Sequence, residues 1–529
     1  MKKLVVMGLA MAMTVSMMNG VCAQPVHAAK GKGLKVALLM SGAANDQGWN
    51  QTAYEGAQKA CDKYGCELAY TENLEAADIS AAFADYASAG YDVVIGHGYE
   101  FGDPALEVAE TYPATKFICT ESDASSDNVA SYVMACEQTA YGVVSQICEK
   151  IPETYNGVEV VDYGDKLIIP AFSDLHVHGA QYVQRGIGMD CLLSDWLNHY
   201  TFPQESRFQS MKYAKNCYDA FVDEMILHGT FHANVFATIH RDATNYLFDK
   251  MEEKGMYGYV GKVNMDCNSP EFLIETTEES LNETEKYLAA HEGSKKVKTI
   301  LAPRFAPTCS EKLITGLGKL AEKYHCGVHT HLVESIWEAQ EALKLFPGYG
   351  SDAEIYERAG LMDHGPSIFA HVIFPSEEDK RIMKKHGSIS VHCPDATVNI
   401  IAGIMPLQQM ASEDLKIAIG SDLAGGHGLA IYRQVARAVQ LSKLKEFYEP
   451  NESKTITITQ AFYHATKEAG SVFGKVGSFE TGYAFNALVI DNMEDPWTKI
   501  TAQEKLERFC YTGDDRNIRA RYIDGELLK

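Results

Sequence analysis

Two histidines, His176 and His178, are separated by one residue within a run of hydrophobic residues that is typical of a β-strand. Residues two apart on a strand point to the same face, so both imidazoles could bind one metal ion. Zn²⁺ is bound in proteins by histidine nitrogens together with cysteine or carboxylate ligands. The chain has 18 histidines, and His329 and His331 form a second pair with the same spacing. Such a pair is therefore informative only where further ligands accompany it.

Further residues of ligand type follow other predicted strands in the same part of the chain. His331 lies at the end of the fifth such strand, His371 at the sixth and Asp422 at the eighth, while Arg304 ends the fourth. Eight strands with intervening helices predict a (β/α)₈ TIM barrel, whose functional side chains lie at the carboxyl ends of the strands. A third histidine and an aspartate would complete a site suited to Zn²⁺, with one position left for water. The predicted strands comprise residues 166–178, 230–237, 257–263, 297–305, 327–332, 367–373, 388–392 and 416–422.

The composition limits what kind of protein this is. The chain has 529 residues, of which 46% are hydrophobic, which is enough for several packed domains and too apolar for a disordered chain. Acidic residues outnumber basic residues by 71 to 47, which gives a formal net charge of -24. Non-specific nucleic-acid binding depends on Lys and Arg contacts to phosphates, so this charge argues against a nucleic-acid partner.

Residues 1–28 have the features of an export signal. Two lysines precede an apolar run over residues 4–18, and small residues at 26–28 form a cleavage site. Cys22 could instead carry a lipid anchor. The signal predicts an exported or membrane-anchored protein. The 13 scattered cysteines include no C-x-x-C pair and are typical of a cytosolic protein, so a cytoplasmic location is the alternative.

Residues 34–144 alternate strands and helices in the way that predicts a doubly wound α/β lobe. Ligands of such sheets bind at the carboxyl ends of the strands. The predicted strands cover residues 35–40, 92–96 and 116–119, and the predicted helices cover residues 52–64 and 79–88.

The first of these strands and the loop after it, residues 36–42 and 45–50, resemble the start of the basic membrane protein family. Members of that family are periplasmic-binding-protein-like lipoproteins of nucleoside importers. The resemblance implies that Asp46 and Asn50 hydrogen-bond a nucleoside and that Trp49 stacks on its base. The family closes two lobes over its ligand, whereas the pattern here stops near residue 144. The lobe is therefore partial, and an ordinary loop is the alternative interpretation.

Seven motifs between residues 151 and 528 resemble the amidohydrolase superfamily and, within it, the guanine deaminases. The resemblance implies hydrolytic deamination of guanine to xanthine and ammonia, with zinc as cofactor. The motifs occur in the family order and read PAFSDLHVHGAQY (170–182), GKVNMD (261–266), APRF (302–305), HLVE (331–334), AH (370–371), HCP (392–394) and GSDLAGG (420–426).

The resemblance also implies which residues carry the chemistry. Glu334 would move a proton from the attacking water to the purine, and Asp422 would accept the second proton of that water. His371 would hydrogen-bond the attacking oxygen and stabilise the tetrahedral intermediate. The implied metal ligands are His176, His178, His331 and Asp422.

Three further residues are implied to bind the substrate. Gln181 would pair with the donor and acceptor edge of guanine, Arg304 would donate to its carbonyl oxygen, and Phe305 would stack on its ring. A second metal in this superfamily usually needs a bridging modified lysine at the end of the fourth strand. Arg304 and Phe305 occupy that place, so one ion is expected.

The chain departs from the family before the barrel. Family members begin with a small β-sandwich that strands from the C-terminus complete, and only about residues 158–167 of that start are present here. The predicted C-terminal strands, residues 485–491 and 518–527, would then lack partners. We interpret the chain as a fusion joined near residues 142–150. Its parts are an export signal (1–28), the partial binding lobe (34–144) and an amidohydrolase barrel with a remnant β-sandwich (151–529).

Two other functions remain open at this point. An exported nucleoside-binding protein of an importer, with an inactive C-terminal region, would explain the signal and the partial lobe. Within the enzyme class, the nearest rival is a deaminase of another aminopurine or of a pterin. The barrel is also expected to form a homodimer.

Overall fold

A computed structural model describes residues 4–6, 33–46, 49–120, 122, 124–132, 142–145, 147, 160–191, 193–451, 453–491, 497 and 500–528. The chain divides into two compact units. One comprises Gly8–Tyr141, and the other comprises Met1–Met7 with Gly142–Lys529. Most of the predicted export signal, including Cys22, lies outside the described residues. Within it, Leu4–Val6 forms a short strand that pairs antiparallel with Val160–Asp162.

The N-terminal unit contains a five-stranded parallel sheet whose strands lie side by side in the order 67–71, 35–40, 93–97, 116–120 and 129–132. Its core includes Leu39, Phe83, Val94 and Phe117, which lie on strands and on a helix packed against them. The partial doubly wound lobe is therefore confirmed. Its strands are β1 (Lys35–Met40), β2 (Glu67–Thr71), β3 (Val93–His97), β4 (Lys116–Thr120) and β5 (Val129–Tyr132), and its helices are Trp49–Tyr64, Ile79–Ser88 and Gly102–Ala109.

The second unit is dominated by an eight-stranded parallel sheet whose strands follow one another in chain order. The sheet nearly closes into a barrel, because the backbone N–H of Asp422 beyond the last strand donates to the carbonyl oxygen of His176 on the first strand at 2.8 Å. The predicted (β/α)₈ architecture is thus confirmed. Its strands are β7 (Phe172–His178), β8 (Thr230–Phe236), β9 (Tyr257–Asn264), β10 (Val297–Pro303), β11 (Val328–Leu332), β12 (Ser367–His371), β13 (Ile389–His392) and β14 (Lys416–Ile419), and β6 (Leu167–Pro170) precedes them outside the barrel.

The first predicted strand was expected to run without interruption from residue 166 to residue 178, which is wrong. The structure divides it at Ala171, whose backbone N–H donates to the Asn486 carbonyl at 2.9 Å. The part before the division, β6, pairs outside the barrel, and the part after it, β7, pairs with β8. The hydrophobic pattern could not reveal the division, since the buried apolar residues Ile169, Ala171 and Phe172 continue across it.

The C-terminal strands have partners, contrary to the expectation from the shortened sandwich. A four-stranded antiparallel sheet joins β6 to β15 (Ala487–Ile490), β15 to β16 (Ile518–Ile523) and β16 to β17 (Glu526–Leu527). One strand retained upstream of the barrel is therefore enough to pair β15 along its length. Whether this sheet is the remnant of a β-sandwich stays a prediction.

The segment 142–145 also lies in the second unit. The backbone N–H of Val144 donates to the carbonyl of Tyr483 at 2.7 Å, and the N–H of Gly482 donates to the carbonyl of Val144 at 2.8 Å. Gly142 has a positive φ of 84°, and a Cβ placed there would lie 2.4 Å from the carbonyl oxygen of Asp524. Only glycine fits this close approach of two backbones.

Helices connect the barrel strands and cover the outside of the sheet. Several begin at serine or threonine caps, whose side chains accept a backbone N–H of the first turn, as Ser335 does from Glu338 at 3.1 Å. Across the part of the chain that the structure describes, no helix has both the length and the apolar character needed to span a membrane. The helices of this unit are Leu193–Trp196, Phe202–Ser206, Met211–Leu227, Arg241–Glu253, Thr277–Ala290, Glu311–Tyr324, Ile336–Leu345, Asp352–Arg358, Glu377–His386, Pro394–Asn399, Leu407–Ser412, Ile431–Tyr448, Ile458–Ala465, Lys467–Gly470 and Ala502–Thr512.

Candidate metal and substrate site

The four predicted metal ligands lie together at the carboxyl ends of the barrel strands. Nε2 of His176 is 3.2 Å and Nε2 of His178 is 3.4 Å from Oδ1 of Asp422. Nε2 of His178 is 3.2 Å from Nε2 of His331. All four residues are buried. Strand periodicity explains the convergence, because His176 and His178 share one face of β7, while β11 supplies His331 and the segment after β14 supplies Asp422.

Hydrogen bonds to their other nitrogens orient two of these imidazoles. Nδ1 of His331 is 2.6 Å from the carbonyl oxygen of Arg304, which can only accept, so the proton is on Nδ1 and the Nε2 lone pair is available. Nδ1 of His176 contacts Nε2 of His329 at 2.8 Å. Among the described residues, the buried Nε2 of His176 has no hydrogen-bond partner. A buried polar atom without a partner is costly unless a ligand satisfies it.

The protonation states of this cluster suit a metal. Burial lowers the pKa of His176, His178 and His331 well below the usual value, so these imidazoles are neutral at pH 7. Burial raises the pKa of Asp422 to about 6, which still leaves it ionised at neutral pH. Neutral imidazole and ionised carboxylate are the forms that bind metal. The candidate ligand atoms of His176, His178 and Asp422 lie within 4.8 Å of one another, so one ion could contact all three.

Asp174 hydrogen-bonds residues next to this cluster, and the sequence did not single it out. Its carboxylate accepts hydrogen bonds from Ser421 Oγ at 2.5 Å, from Ser421 N at 3.0 Å and from His176 N at 3.3 Å. These hydrogen bonds connect β7 to the segment that follows β14, next to the metal ligands. Burial raises its pKa to about 7. Asp174 precedes His176 by two residues on the same face of β7, so the two-residue period could have identified it.

The predicted proton carriers lie beside the ligands. Nε2 of His371 is 3.5 Å from Oε1 of Glu334 and 3.8 Å from Oδ2 of Asp422, so His371 stands between two carboxylates. Burial raises the pKa of Glu334, and the charge of nearby His371 opposes that rise. His371 and Asp422 have φ values of 72° and 45°, backbone strain of the kind that clusters at active sites. Both ring nitrogens of His371 lack hydrogen-bond partners among the described residues.

A cleft opens over this cluster. Eight of the nine predicted site side chains line it, and the ninth, His176, is fully buried and contacts Asp422. The lining residues are His178, Gln181, Trp196, Leu197, Arg304, Phe305, His331, Glu334, Ser335, Trp337, Glu338, His371, Ile400, Asp422 and Gly425.

The predicted substrate residues are held by a carboxylate that the sequence analysis did not single out. Oε1 of Glu205 accepts from Nε2 of Gln181 at 2.9 Å, and Oε2 accepts from Nη1 of Arg304 at 2.8 Å. The ring of Phe305 lies at the cleft, with its centroid 6.4 Å from that of His331. Glu205 lies on the short helix Phe202–Ser206 between β7 and β8, where no strand period or spacing pointed to it.

The predicted nucleoside contacts in the N-terminal unit are arranged differently. The side chain of Asn50 donates to Oδ2 of Asp46 at 2.9 Å, and the backbone N–H of Asn50 donates to the same oxygen at 3.1 Å. The two residues therefore stabilise the start of a helix. The side chain of Trp49 lies outside what the structure describes. Nucleoside binding by these residues stays a prediction.

Comparisons with known proteins agree with this division of the chain. Residues 167–528 match the Amidohydrolase family, and residues 34–145 match the family described as ABC transporter substrate-binding protein PnrA-like. The chain is 32% identical to guanine deaminase of Dictyostelium discoideum over 400 residues, which cover 73% of this chain and 87% of that protein. It is 32% identical to guanine deaminase of Homo sapiens over 379 residues, which cover 69% and 83% respectively.

A solved structure shares the fold of the second unit. It is a crystal structure of guanine deaminase from C. acetobutylicum with bound guanine in the active site. The two proteins are 39% identical with a TM-score of 0.72, and the similarity covers 74% of this chain and 93% of that one. The comparisons therefore support a fusion of a PnrA-like N-terminal part with an amidohydrolase C-terminal part. The chain belongs to the amidohydrolase family and, within it, to the guanine deaminases.

Proposed function

We infer that this chain hydrolyses guanine to xanthine and ammonia at the cleft of the barrel. The observation that carries this function is the convergence of two sets of side chains on one cleft. A metal-ligand cluster with two proton carriers forms its floor, and Gln181, Arg304 and Phe305 line its wall. The relatives named guanine deaminase support the substrate. The nucleoside-binding alternative explains neither set.

The cluster fits one divalent ion, which we propose is Zn²⁺. The donors are imidazole nitrogens and a carboxylate oxygen, a set that Zn²⁺ prefers, and the unpartnered Nε2 of His176 is directed into it. His176, His178, His331 and Asp422 would hold the ion. When bound, a divalent ion supplies Lewis acidity that makes water nucleophilic at neutral pH. Arg304 fills the place where a second ion would need a bridging lysine.

Glu334 is positioned to move protons during the reaction. Its buried carboxylate has a raised pKa, so it can accept a proton from the attacking water and deliver it to the purine ring. His371 lies between Glu334 and Asp422, where it can hydrogen-bond the attacking oxygen. Asp422 can hold the second proton until ammonia leaves. Water supplies the oxygen of xanthine; one of its protons stays on a ring nitrogen of xanthine, and the other leaves with the amino group as ammonia.

The wall residues match the edge of guanine. A guanidinium donates to a carbonyl oxygen, so Arg304 suits the oxo group, and an amide both donates and accepts, so Gln181 suits the remaining edge. Phe305 offers an apolar ring against which a purine can stack. These contacts would hold the amino-bearing carbon over the ligand cluster.

The function is tested with the purified, zinc-loaded full chain, by measuring release of ammonia and xanthine from guanine. We expect turnover of guanine and a decrease of about 10² to 10⁴ in kcat for Glu334→Gln. Glu341→Gln is the matched control, because Glu341 lies on the helix Ile336–Leu345 that follows Glu334 and pairs with Lys344 outside the cleft. Adenine and a pterin serve as competing substrates. A protein that deaminates one of these and not guanine would contradict the assignment.

The N-terminal unit supports a second candidate function, nucleoside binding, through its similarity to the PnrA-like family. Isothermal titration of the full chain with guanosine tests it. Saturable guanosine binding that is lost in Asp46→Ala would support nucleoside binding by this unit. If Asp46→Ala binds guanosine as tightly as wild type does, the nucleoside binds elsewhere.

Two properties remain proposals from the sequence. We propose that the N-terminal segment directs export or membrane attachment, which fractionation of the producing cells tests against a cytoplasmic location. We also propose a homodimer formed through the barrel. Light scattering of the purified chain distinguishes a dimer from a monomer.

A further inference from the structure

The carboxylate of Glu205 joins the two polar side chains that are proposed to read guanine. Each of its oxygens has a separate partner, Gln181 at 2.9 Å and Arg304 at 2.8 Å. All three side chains are buried, with Glu205 and Arg304 each 5% exposed and Gln181 2% exposed. Charge-assisted hydrogen bonds away from water are strong and directional.

This bridge fixes which way the Gln181 amide faces. Its Nε2 donates to Glu205, and its Oε1 accepts from the backbone N–H of Ala424 at 3.1 Å. Rotating the amide by half a turn would place its oxygen against a carboxylate and its NH₂ against an N–H. Both contacts would be repulsive, so one orientation is stable. The hydrogen and lone pair that remain on the amide therefore have defined directions.

The same carboxylate balances the charge of Arg304. A buried guanidinium without a counter-ion is strongly unfavourable. The Arg304 charge already contributes to the lowered pKa of His178 and His331, so its neutralisation also matters to the metal cluster. The guanidinium lies 5.3 Å from the ring centroid of Phe202, which belongs to the same short helix as Glu205.

The backbone that presents Glu205 is unusual. A π-helical turn at Leu197–Thr201 leads directly into the helix Phe202–Ser206. Such turns are rare and occur frequently at functional sites. The turn also contributes Leu197 to the cleft wall, so one segment both lines the cleft and supports its binding groups.

We propose that Glu205 is a positioning residue that holds Gln181 and Arg304 in the arrangement that selects the guanine edge. The proposal rests on the proposed function, since it concerns the same substrate. Glu205 acts through its two partners and has no role in proton transfer. Its loss should therefore weaken substrate binding and leave the chemical step nearly intact.

The test compares Glu205→Gln with wild type in steady-state kinetics with guanine, using zinc-loaded full chain. We expect KM to rise about 10- to 100-fold, the effect of losing a charged hydrogen bond, while kcat changes by less than about 3-fold. Zinc content should be unchanged. Glu224→Gln is the matched control, because Glu224 similarly bonds Tyr182 and Arg185 and does not line the cleft.

A second measurement separates positioning from folding and does not require turnover. Guanine binding is titrated calorimetrically to Glu334→Gln and to Glu334→Gln with Glu205→Gln, after circular dichroism shows that both are folded. We expect the second protein to bind at least about 10-fold more weakly. Equal affinities, or an unchanged KM in the single variant, would overturn the role of Glu205 alone. Absence of guanine turnover by the wild-type protein would overturn the proposed function as well.

Discussion

Both units of the chain place polar side chains at the carboxyl ends of parallel strands. The two units differ in whether those side chains have hydrogen-bond partners within the described residues. At the end of β3, Nδ1 of His97 contacts Thr120 Oγ1 at 3.0 Å, and the N–H of Gly98 donates to the same hydroxyl at 3.0 Å. In the barrel, Nε2 of His176 and both ring nitrogens of His371 lack hydrogen-bond partners among the described residues. The N-terminal groups satisfy one another, whereas the barrel groups leave their bonding capacity unused.

This difference separates polar residues that stabilise a fold from polar residues that await a ligand. A buried donor or acceptor without a partner costs free energy, so a cluster of them persists where binding repays the cost. Asn50 is the nearest equivalent in the described part of the N-terminal unit, because its buried Oδ1 lacks a partner. One such atom is a weaker indication of a site than a converging cluster.

The largest expected effect is on catalysis. His176→Ala removes a ligand from the cluster and should lower kcat/KM for guanine by about 10³-fold or more, since metal assistance is worth several kcal/mol. Asp46→Ala in the N-terminal unit should leave kcat/KM unchanged. Ammonia release and bound zinc are measured for both variants. A comparable loss in Asp46→Ala would mean that the N-terminal unit takes part in the reaction.

Metal removal should destabilise one unit and not the other. Chelation of a metal present at 1,000 times its Kd removes roughly 4 kcal/mol from the free energy of unfolding of the barrel. Differential scanning calorimetry should then show a lower Tm for the transition of the barrel and an unchanged transition for the N-terminal unit. His176→Ala is the control, because its Tm should no longer respond to the chelator.

A smaller effect is expected for the hydrogen bonds that join the first and last barrel strands. Ser421→Ala removes the hydroxyl that donates to Asp174, at a cost of about 1–3 kcal/mol. The matched substitution Thr120→Val removes the hydroxyl that satisfies His97 and Gly98 in the N-terminal unit. Urea unfolding should show similar losses for both variants, while kcat/KM should fall only in Ser421→Ala. Equal activity in the two variants would show that the Asp174 bridge is structural alone.

The last prediction concerns the dependence of stability on pH. Burial lowers the pKa of His232 to about 3, while the unfolded chain takes up this proton near pH 6.5. Its contribution to stability is therefore complete above pH 6.5 and is lost as the pH falls towards 3, by about 1.4 kcal/mol per pH unit. Asp174 acts in the opposite direction, because its pKa is raised in the folded state.

A variant isolates the contribution of His232. His232→Gln keeps an acceptor for the Asn486 side chain, which donates to the ring at 2.8 Å in the wild type. Urea unfolding of both proteins between pH 7 and pH 4 should give a shallower loss of stability in the variant. Parallel curves would show that the imidazole is protonated in the folded state as well.

Much of the site could be predicted from the sequence because its residues follow strand ends. His176, His178, His331 and Asp422 converge as expected, since the order of strands in a parallel barrel fixes where their ends meet. Glu205 could not be predicted in this way. It contacts Gln181 and Arg304 from a short helix that follows a π-helical turn, and no repeating period specifies such a turn.

The order of the strands could be predicted from the sequence more accurately than their boundaries. The division of the first strand at Ala171 depends on its hydrogen bond to Asn486, a residue more than 300 positions later in the chain. The pairing of β15 with β6 depends on the same distant segment. Interactions of this range act through tertiary structure, which overrides local hydrophobic pattern.

The hydrogen bonds of Val144 have a consequence for how the two parts could be separated. The similarity to the PnrA-like family extends to residue 145, yet Gly142–Ser145 belongs to the barrel unit and bonds its C-terminal segment. The border between the two ancestries therefore does not coincide with the border between the two folded bodies. A gene divided at the family border would leave the barrel without backbone partners for Gly482 and Tyr483, whereas a cut upstream of Gly142 would keep them. The last residues that match the PnrA-like family are therefore part of the folded barrel unit.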